Sequence, residues 1–187
     1  MVINYFGGGC FKIQSGNLSL AVDPLNERLK PDILLKTASP IPAESGSVNV
    51  VIGPGEYELN GVTIRGFQVM NESTAKVIKT AYLVNMEDIS LGFMGELYNV
   101  PDAELMEKFG GVDILFLPAG AHPYLDVAKA AKIIKQIGPA IAIPSFFKNA
   151  KDLFEEMGQK MSVEEKLTIK KKDIPAHDGT KIICLKE

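Results

Sequence analysis

The apolar positions of the first half fall into short runs that read as strands. VINYF, CFKIQ and LSLAV are β-rich stretches broken by GGG and SGN. Glycine and asparagine accept the positive φ that tight turns require, so these breaks predict hairpins. DILLK follows Pro31, and VNVVI, TIRGFQV, VIKTAYLV and ISLGFM continue the series. Gly53, Pro54, Gly55, Asn60 and Gly61 punctuate it, and Glu87 and Asp88 form the turn between YLVNM and ISLGFM.

The second half changes period. PDAELMEKFGG predicts a short helix, with Pro101 at its first position, Asp102 and Glu104 at the positive end of the dipole, and Gly110 at its stop. DILFLP is a buried strand. PYLDVAKAAKIIKQIG is the clearest helix: Val127, Ala131, Ile134 and Ile137 share a face, and Gly138 and Pro139 end it. AIAIP predicts another buried strand. NAKDLFEEMG predicts a helix capped by Asn149 and stopped by Gly158. LTIK and KIICL are closing strands, joined through a polar turn around His177, Asp178 and Gly179. Strands followed by strand–helix–strand–helix–strand, with no repeat or linker, predict one α/β domain over residues 1–187. Two sheets with helices outside would satisfy the pattern.

Composition narrows the classes. A chain of 187 residues with a net charge of −3 has no basic excess, which argues against nucleic acid as a partner. No run approaches the ~18 apolar residues of a membrane span. MVINYFGGG has neither the charge nor the apolar core of a secretion signal, so the cytoplasm is the expected compartment. The two cysteines, Cys10 and Cys184, are expected as free thiols, with Cys10 packing as a small hydrophobe. Helix faces and sheet edges would support a homo-oligomer, although nothing specifies one.

Several stretches carry a resemblance. LAVDPL, VIGPGEYELNGVTIRGF, GGVDILFLPAG and AAKIIKQIGPAIAIP, in that order, resemble the metallo-β-lactamase superfamily, in particular its small Zn-dependent-hydrolase-like group. The resemblance runs from Val2 to about Gly158, and Pro54–Glu58 is its most characteristic mark. It implies an αββα sandwich of two mixed sheets with helices on the outer faces, and a site at the mouth where loops of both sheets meet. It also implies zinc chemistry, in which bound water is acidified to a pKa of about 7.

The positions that match the family's ligands carry other residues. In place of its Thr-His-x-His-x-Asp-His loop stands TASPIPA: Thr37 remains, Ala38, Pro40 and Ala43 stand at the histidines, and Pro42 at the aspartate. The later His-Asp pair reads Asn71-Glu72, the Gly-Asp pair Gly95-Glu96, and the final histidine Phe146. The early Gly-His reads Gly7-Gly8. Independently of any alignment, the chain's two histidines, His122 and His177, cannot build a His-rich dinuclear site. Gly7–Gly9 therefore match the family's first loop without its histidine. A phosphate cradle is the weaker reading, since no G-x-G-x-x-G is present and a strand follows.

The would-be cleft then comprises Gly8, Ala38, Ser39, Pro40, Asn71, Glu72, Glu96 and Phe146. Glu96 reads either as a metal ligand or general base, or as a strand-end carboxylate bonded to loop amides. With Asn71 and Glu72 it would offer an oxygen-rich shell for Mg²⁺, Mn²⁺ or Ca²⁺, a thin one by ligand count. Asp23 fits a structural Asp-Pro turn. His122 is a candidate acid or base, or a surface histidine. His177 and the Lys170–Lys172 run read as solvated. Ser39, Ser45 and Ser47 line the replaced loop, and Phe146 and Phe147 would either fill the emptied site, the simpler reading, or offer an apolar surface to a partner or ligand.

Three functions compete. The first is a metal-free, non-catalytic member of the superfamily with a binding, regulatory or assembly role, whose partner would be a small molecule or a protein. The second is a hydrolase with a reworked site, in which Glu96, Glu72, Asn71 and His122 would hold a metal other than zinc or act without one. The third is a small-molecule binder that uses the cleft through Phe146, Tyr98 and Ser39.

Overall fold

The glycine breaks of the first half do close hairpins, and the chain folds into two stacked sheets. The computed structural model describes residues 1–26, 28–42 and 49–187. Its longer strands are β1 (Val2–Tyr5), β2 (Phe11–Ser15), β3 (Leu18–Val22), β4 (Ile33–Lys36), β5 (Ala38–Pro40), β6 (Val50–Ile52), β7 (Gly55–Leu59), β8 (Val62–Gln68), β9 (Val77–Met86), β10 (Ile89–Phe93), β11 (Ile114–Pro118) and β12 (Ile141–Ser145). Four two-residue strands follow: β13 (Val163–Glu164), β14 (Leu167–Thr168), β15 (Lys181–Ile182) and β16 (Cys184–Leu185). The helices are α1 (Ala103–Lys108), α2 (Val127–Ile137) and α3 (Lys151–Glu156), with a 3-10 turn at Lys171–Asp173.

The first sheet runs β14-β1-β2-β3-β4-β6, and the second β15-β12-β11-β10-β9-β8-β7, with β5 joined to β9. Both are mixed: β3 and β4 are parallel in the first, as are β10, β11 and β12 in the second. Inward positions such as Ile3, Ile13, Leu20 and Leu35 meet Ile64, Val84, Leu91 and Phe116 in one core. Outward positions of the first sheet, Asn4, Lys12 and Gln14, are only partly covered. A second core lies under the helices, where Leu83, Leu115 and Ala142 meet Phe109, Ile134 and Phe154. The described helices thus gather on the second sheet, whose outer face is apolar.

Two helix starts lie further along than the sequence suggests. Asp102 caps α1 by accepting from Leu105 N, which leaves Pro101 outside the helix. Asp126, not the Pro123 region, caps α2 through Lys129 N. In both cases the carboxylate accepts from an orphan amide of the first turn, for which proline has no side-chain acceptor. Asn149 is not the cap of α3: that position is Ala150, which makes no side-chain cap bond, and Asn149 one residue earlier accepts from Lys151 N at 3.2 Å.

His177 and Lys171 are exposed, as expected, but each also has a partner. At the end of the sandwich away from the mouth, buried Asp113 accepts from Ser90 N, Ser90 Oγ and Lys171 Nζ, at 2.8, 3.0 and 2.7 Å. His177 Nδ1 lies 3.1 Å from Gly138 O at the end of α2, and its Nε2 3.7 Å from Asp113 Oδ1. The sequence reading missed this because the partners are 23 to 64 residues from Asp113 along the chain, as Ser90 and His177 show. Burial works to raise the Asp113 carboxyl, but Lys171 and Ser90 outweigh it and hold it below the ordinary range. Its contribution is therefore present at neutral pH and lost as pH falls through its lowered value. Asp113→Asn should cost about 2 kcal/mol at pH 7 in urea denaturation, by loss of charge-assisted bonds. The deficit should shrink in acid; one that persists unchanged there would exclude the charge as its source.

Candidate functional site

Strand directions bring the relevant loops to one end. Registers place the ends of β1, β3, β4, β8, β10, β11 and β12, and the start of β9, at the same rim. The cleft positions read from the sequence are on that rim, except Ala43, Ser45 and Ser47, which lie outside the described residues.

The first loop is built around an aromatic ring. Tyr5 donates its hydroxyl to Gly8 O at 2.9 Å, and Gly7 and Gly8 have φ of +88° and +57°. A Cβ on Gly9 would stand 3.0 Å from Phe146 Cε2, so the ring lies directly on the glycine backbone. Phe146 N bonds Gly8 O, and Phe146 O accepts from Ala121 N. The ring stacks on Tyr124 at 3.9 Å between centroids, and Tyr124 meets Tyr98 at 5.7 Å. Phe146 therefore stands in the mouth between the glycine loop and Tyr124. Beneath it, a cavity of about 10 Å³ remains among Gly9, Phe11, Val22, Phe93, Gly95, Phe116 and Ser145. That is the space of a single water.

The stretch that replaces the metal loop is a strand. Ala38, Ser39 and Pro40 pair with Lys79, Ile78 and Val77 of β9. Thr37 O accepts from Thr80 N at 2.7 Å, and Ile41 N donates to Lys76 O at 2.8 Å. Ser39 is buried in this ribbon. Asp23 anchors its root: one carboxylate oxygen accepts from Thr37 N at 2.8 Å and the other from the Thr37 hydroxyl. Burial pushes the Asp23 carboxyl up to about 6, against the lowering by Thr37 and with a further push from Glu96.

The Asn71, Glu72 and Glu96 carboxylate and amide groups do not converge as an oxygen shell. Asn71 Nδ2 donates to Val100 O at 3.2 Å. Glu72 is buried; its Oε1 accepts from Tyr98 N and Asn99 N at 2.8 and 2.5 Å, and its Oε2 meets Lys79 Nζ at 2.9 Å. Glu96 contributes its backbone oxygen, 2.5 Å from the same ammonium, while its half-buried side chain acts on Asp23 and Tyr124 through charge. Lys79, only 7% exposed, also lies 3.3 Å from the centroid of Tyr98. His122 is exposed on the β11–α2 loop, and among the described residues no hydrogen bond to its ring is formed.

Sequence reasoning missed Lys79 and Tyr124. The signal for Lys79 was present: a lysine in VIKTAYLV, a run otherwise fit for a core strand, has to be paired if the strand is buried. Tyr124 had none, since its stacking partner Phe146 comes from another strand end.

These donors do not fit zinc. His122, on the β11–α2 loop at this rim, is a single exposed imidazole; the Glu72 carboxylate is already paired with an ammonium, and a second cation there would meet repulsion rather than ligands. Among the described residues no group of three or more His, Cys, Asp or Glu side chains has metal-binding geometry.

Comparison with known proteins follows the fold. A UPF0173 protein of Pyrococcus furiosus is 24% identical across 97% of this chain and its own whole length. A UPF0173 metal-dependent hydrolase of Pyrococcus horikoshii is 30% identical over 36% of this chain, and the match spans only 31% of that protein. Among solved structures, a putative Zn-dependent hydrolase of the metallo-β-lactamase superfamily from Thermotoga maritima superposes with a TM-score of 0.80 at 18% identity, covering 99% of each chain. Igni18, a metallo hydrolase of Ignicoccus hospitalis, gives 0.68 at 16% identity, covering 90% of this chain and 99% of its own. The family description that matches residues 2–145 is the beta-lactamase superfamily domain, and the chain belongs to that family.

Proposed function

We propose that this chain is a non-catalytic member of its superfamily, which keeps the sandwich and uses the mouth for binding, regulation or assembly. The observation that carries this reading is the filled mouth: the Phe146 ring rests on Gly8 and Gly9, where the first loop would otherwise admit a ligand. The ribbon of Ala38–Pro40 closes the next side. Phe6, Leu25, Ile41, Met70 and Tyr98 remain exposed on the loops of this same end, and Val77 at the start of β9. Exposed apolar side chains gathered in this way favour a protein partner over a small polar substrate. The buried free thiols of Cys10 and Cys184 suit a reducing cytoplasm. No helix among the described residues is long and apolar enough to cross a membrane.

The names of the relatives favour a second reading, a metal-dependent hydrolase with a reworked site around Glu96. Elemental analysis after exposure to Zn²⁺, Mn²⁺ and Mg²⁺, with hydrolysis assays on lactam, ester and phosphodiester substrates, separates the two. Metal far below one per chain is expected, with equal background rates for the wild type and Glu96→Gln. Stoichiometric metal, or turnover lost in Glu96→Gln, would sink the non-catalytic reading.

A further inference from the structure

We infer that the Lys79 ammonium is a built-in cation that takes over the electrostatic task of the family's metal, tying together the two segments that a metal would otherwise bridge. The resemblance implies a ligand histidine at Asn71 and a ligand aspartate at Glu96; here Asn71 donates to Val100 O, and Glu96 offers the ammonium its backbone carbonyl. Here the Glu72 carboxylate and the Glu96 carbonyl meet on one atom, Lys79 Nζ, at 2.9 and 2.5 Å. The third side of the ammonium faces the Tyr98 ring at 3.3 Å. An ammonium has three donors and no acceptor, so two oxygens and a π-face saturate it.

The wiring is tight because each partner has a second task. Glu72 also holds the amides of Tyr98 and Asn99, which fixes the β10–α1 loop against the β8–β9 loop. Tyr98 in turn leads through Tyr124 to Phe146 over the glycine loop. Lys79 thus supports one end of the aromatic row that fills the mouth. Glu72 and Lys79 side chains are 2% and 9% exposed, so neither charge can turn to water if its partner is removed. Because the cation is covalently part of β9, it needs no free metal and cannot be stripped by chelator.

This inference rests on the non-catalytic reading, and thermal melting separates the fates of the two. The wild type is expected to melt at one temperature in EDTA, Mn²⁺, Ca²⁺ or Zn²⁺. Lys79→Met should fall by about 10 °C or more, because it strands the Glu72 charge. Lys79→Met with Glu72→Gln should regain part of that fall. Divalent-dependent stabilisation of the wild type would overturn both readings. A Lys79→Met protein that melts within about 2 °C of the wild type, less than one kcal/mol at this size, or a double variant no better than the single, would overturn this inference alone. If Lys79→Met does not fold, Lys79→Asp decides: the introduced carboxylate, Glu72 and the Glu96 carbonyl would surround the vacated cation position. A cooperative melt obtained only with Ca²⁺ or Mn²⁺ supports a cation site there, and none in either condition refutes it.

Discussion

Gly95→Ala should cost about 3–5 kcal/mol of stability, the sum of a left-handed backbone penalty and overpacking. Gly95 has φ of +65°, and a Cβ there would stand 2.5 Å from Thr37 Cβ and 2.6 Å from its Oγ1. Thr37 is unable to step aside. Asp23 holds its amide and its hydroxyl, and Thr80 N holds its carbonyl at 2.7 Å. The clash therefore falls on a residue fixed at three points, at the junction of β4 and β5. Gly16→Ala is the matched control: its φ is +53°, but a Cβ there meets nothing within 4 Å. It should cost only the backbone part, about 1–2 kcal/mol. Urea denaturation of both variants measures the difference. Equal losses would mean that the Thr37 contact has no energetic weight.

Asp23→Asn should stabilise the protein at pH 8, by up to about 3 kcal/mol if the whole shift is relieved. The carboxyl is raised to about 6, first by burial and then by Glu96. Between the ordinary carboxylate value and 6 the native state binds the proton that the unfolded state releases. Stability from this group accordingly rises as pH falls through 6, and the ionised form is a burden above it. Asparagine keeps the geometry, since its oxygen can accept from Thr37 N and its amide can face the Thr37 hydroxyl. It also tolerates the positive φ of 43° at this position better than most residues. Unfolding free energies of wild type and variant should differ most at pH 8 and converge near pH 4. A variant less stable at pH 8, or a gap constant with pH, would show that the charge of Asp23 is needed as it stands.

The parts of this fold that were legible in the sequence are local. The GGG and SGN hairpins, the Glu87-Asp88 turn and the glycine stops of the helices depend on neighbours within a few residues, and all are in place. The location of the mouth was legible through the family resemblance. What fills it was legible only for Phe146, because a large ring at an emptied ligand position has few other places to go. The need of Lys79 for a partner was legible, but the partners of the ion pairs were not. Lys79 and Glu72 are close in sequence, but the Glu96 carbonyl is backbone and leaves no mark on residue identity. Lys171 and His177 sit in polar stretches, and only the return of the chain past Asp113 shows them at work. Side chains that saturate a distant partner look, in sequence, like side chains facing water.

Tyr82 has a further consequence. Its buried hydroxyl donates to Lys36 O and accepts from Gly53 N, both at 3.0 Å, just where the chain passes from the first sheet to the second after β4 and after β6. Both passes occur at the mouth, so this edge behaves as the spine of a book whose pages are the two sheets. Transient opening should begin at the far edge, near Asp113 and Met1, and reach the spine last. Amide protons of Gly53 and Thr80 are then expected to exchange with solvent only when the entire molecule unfolds.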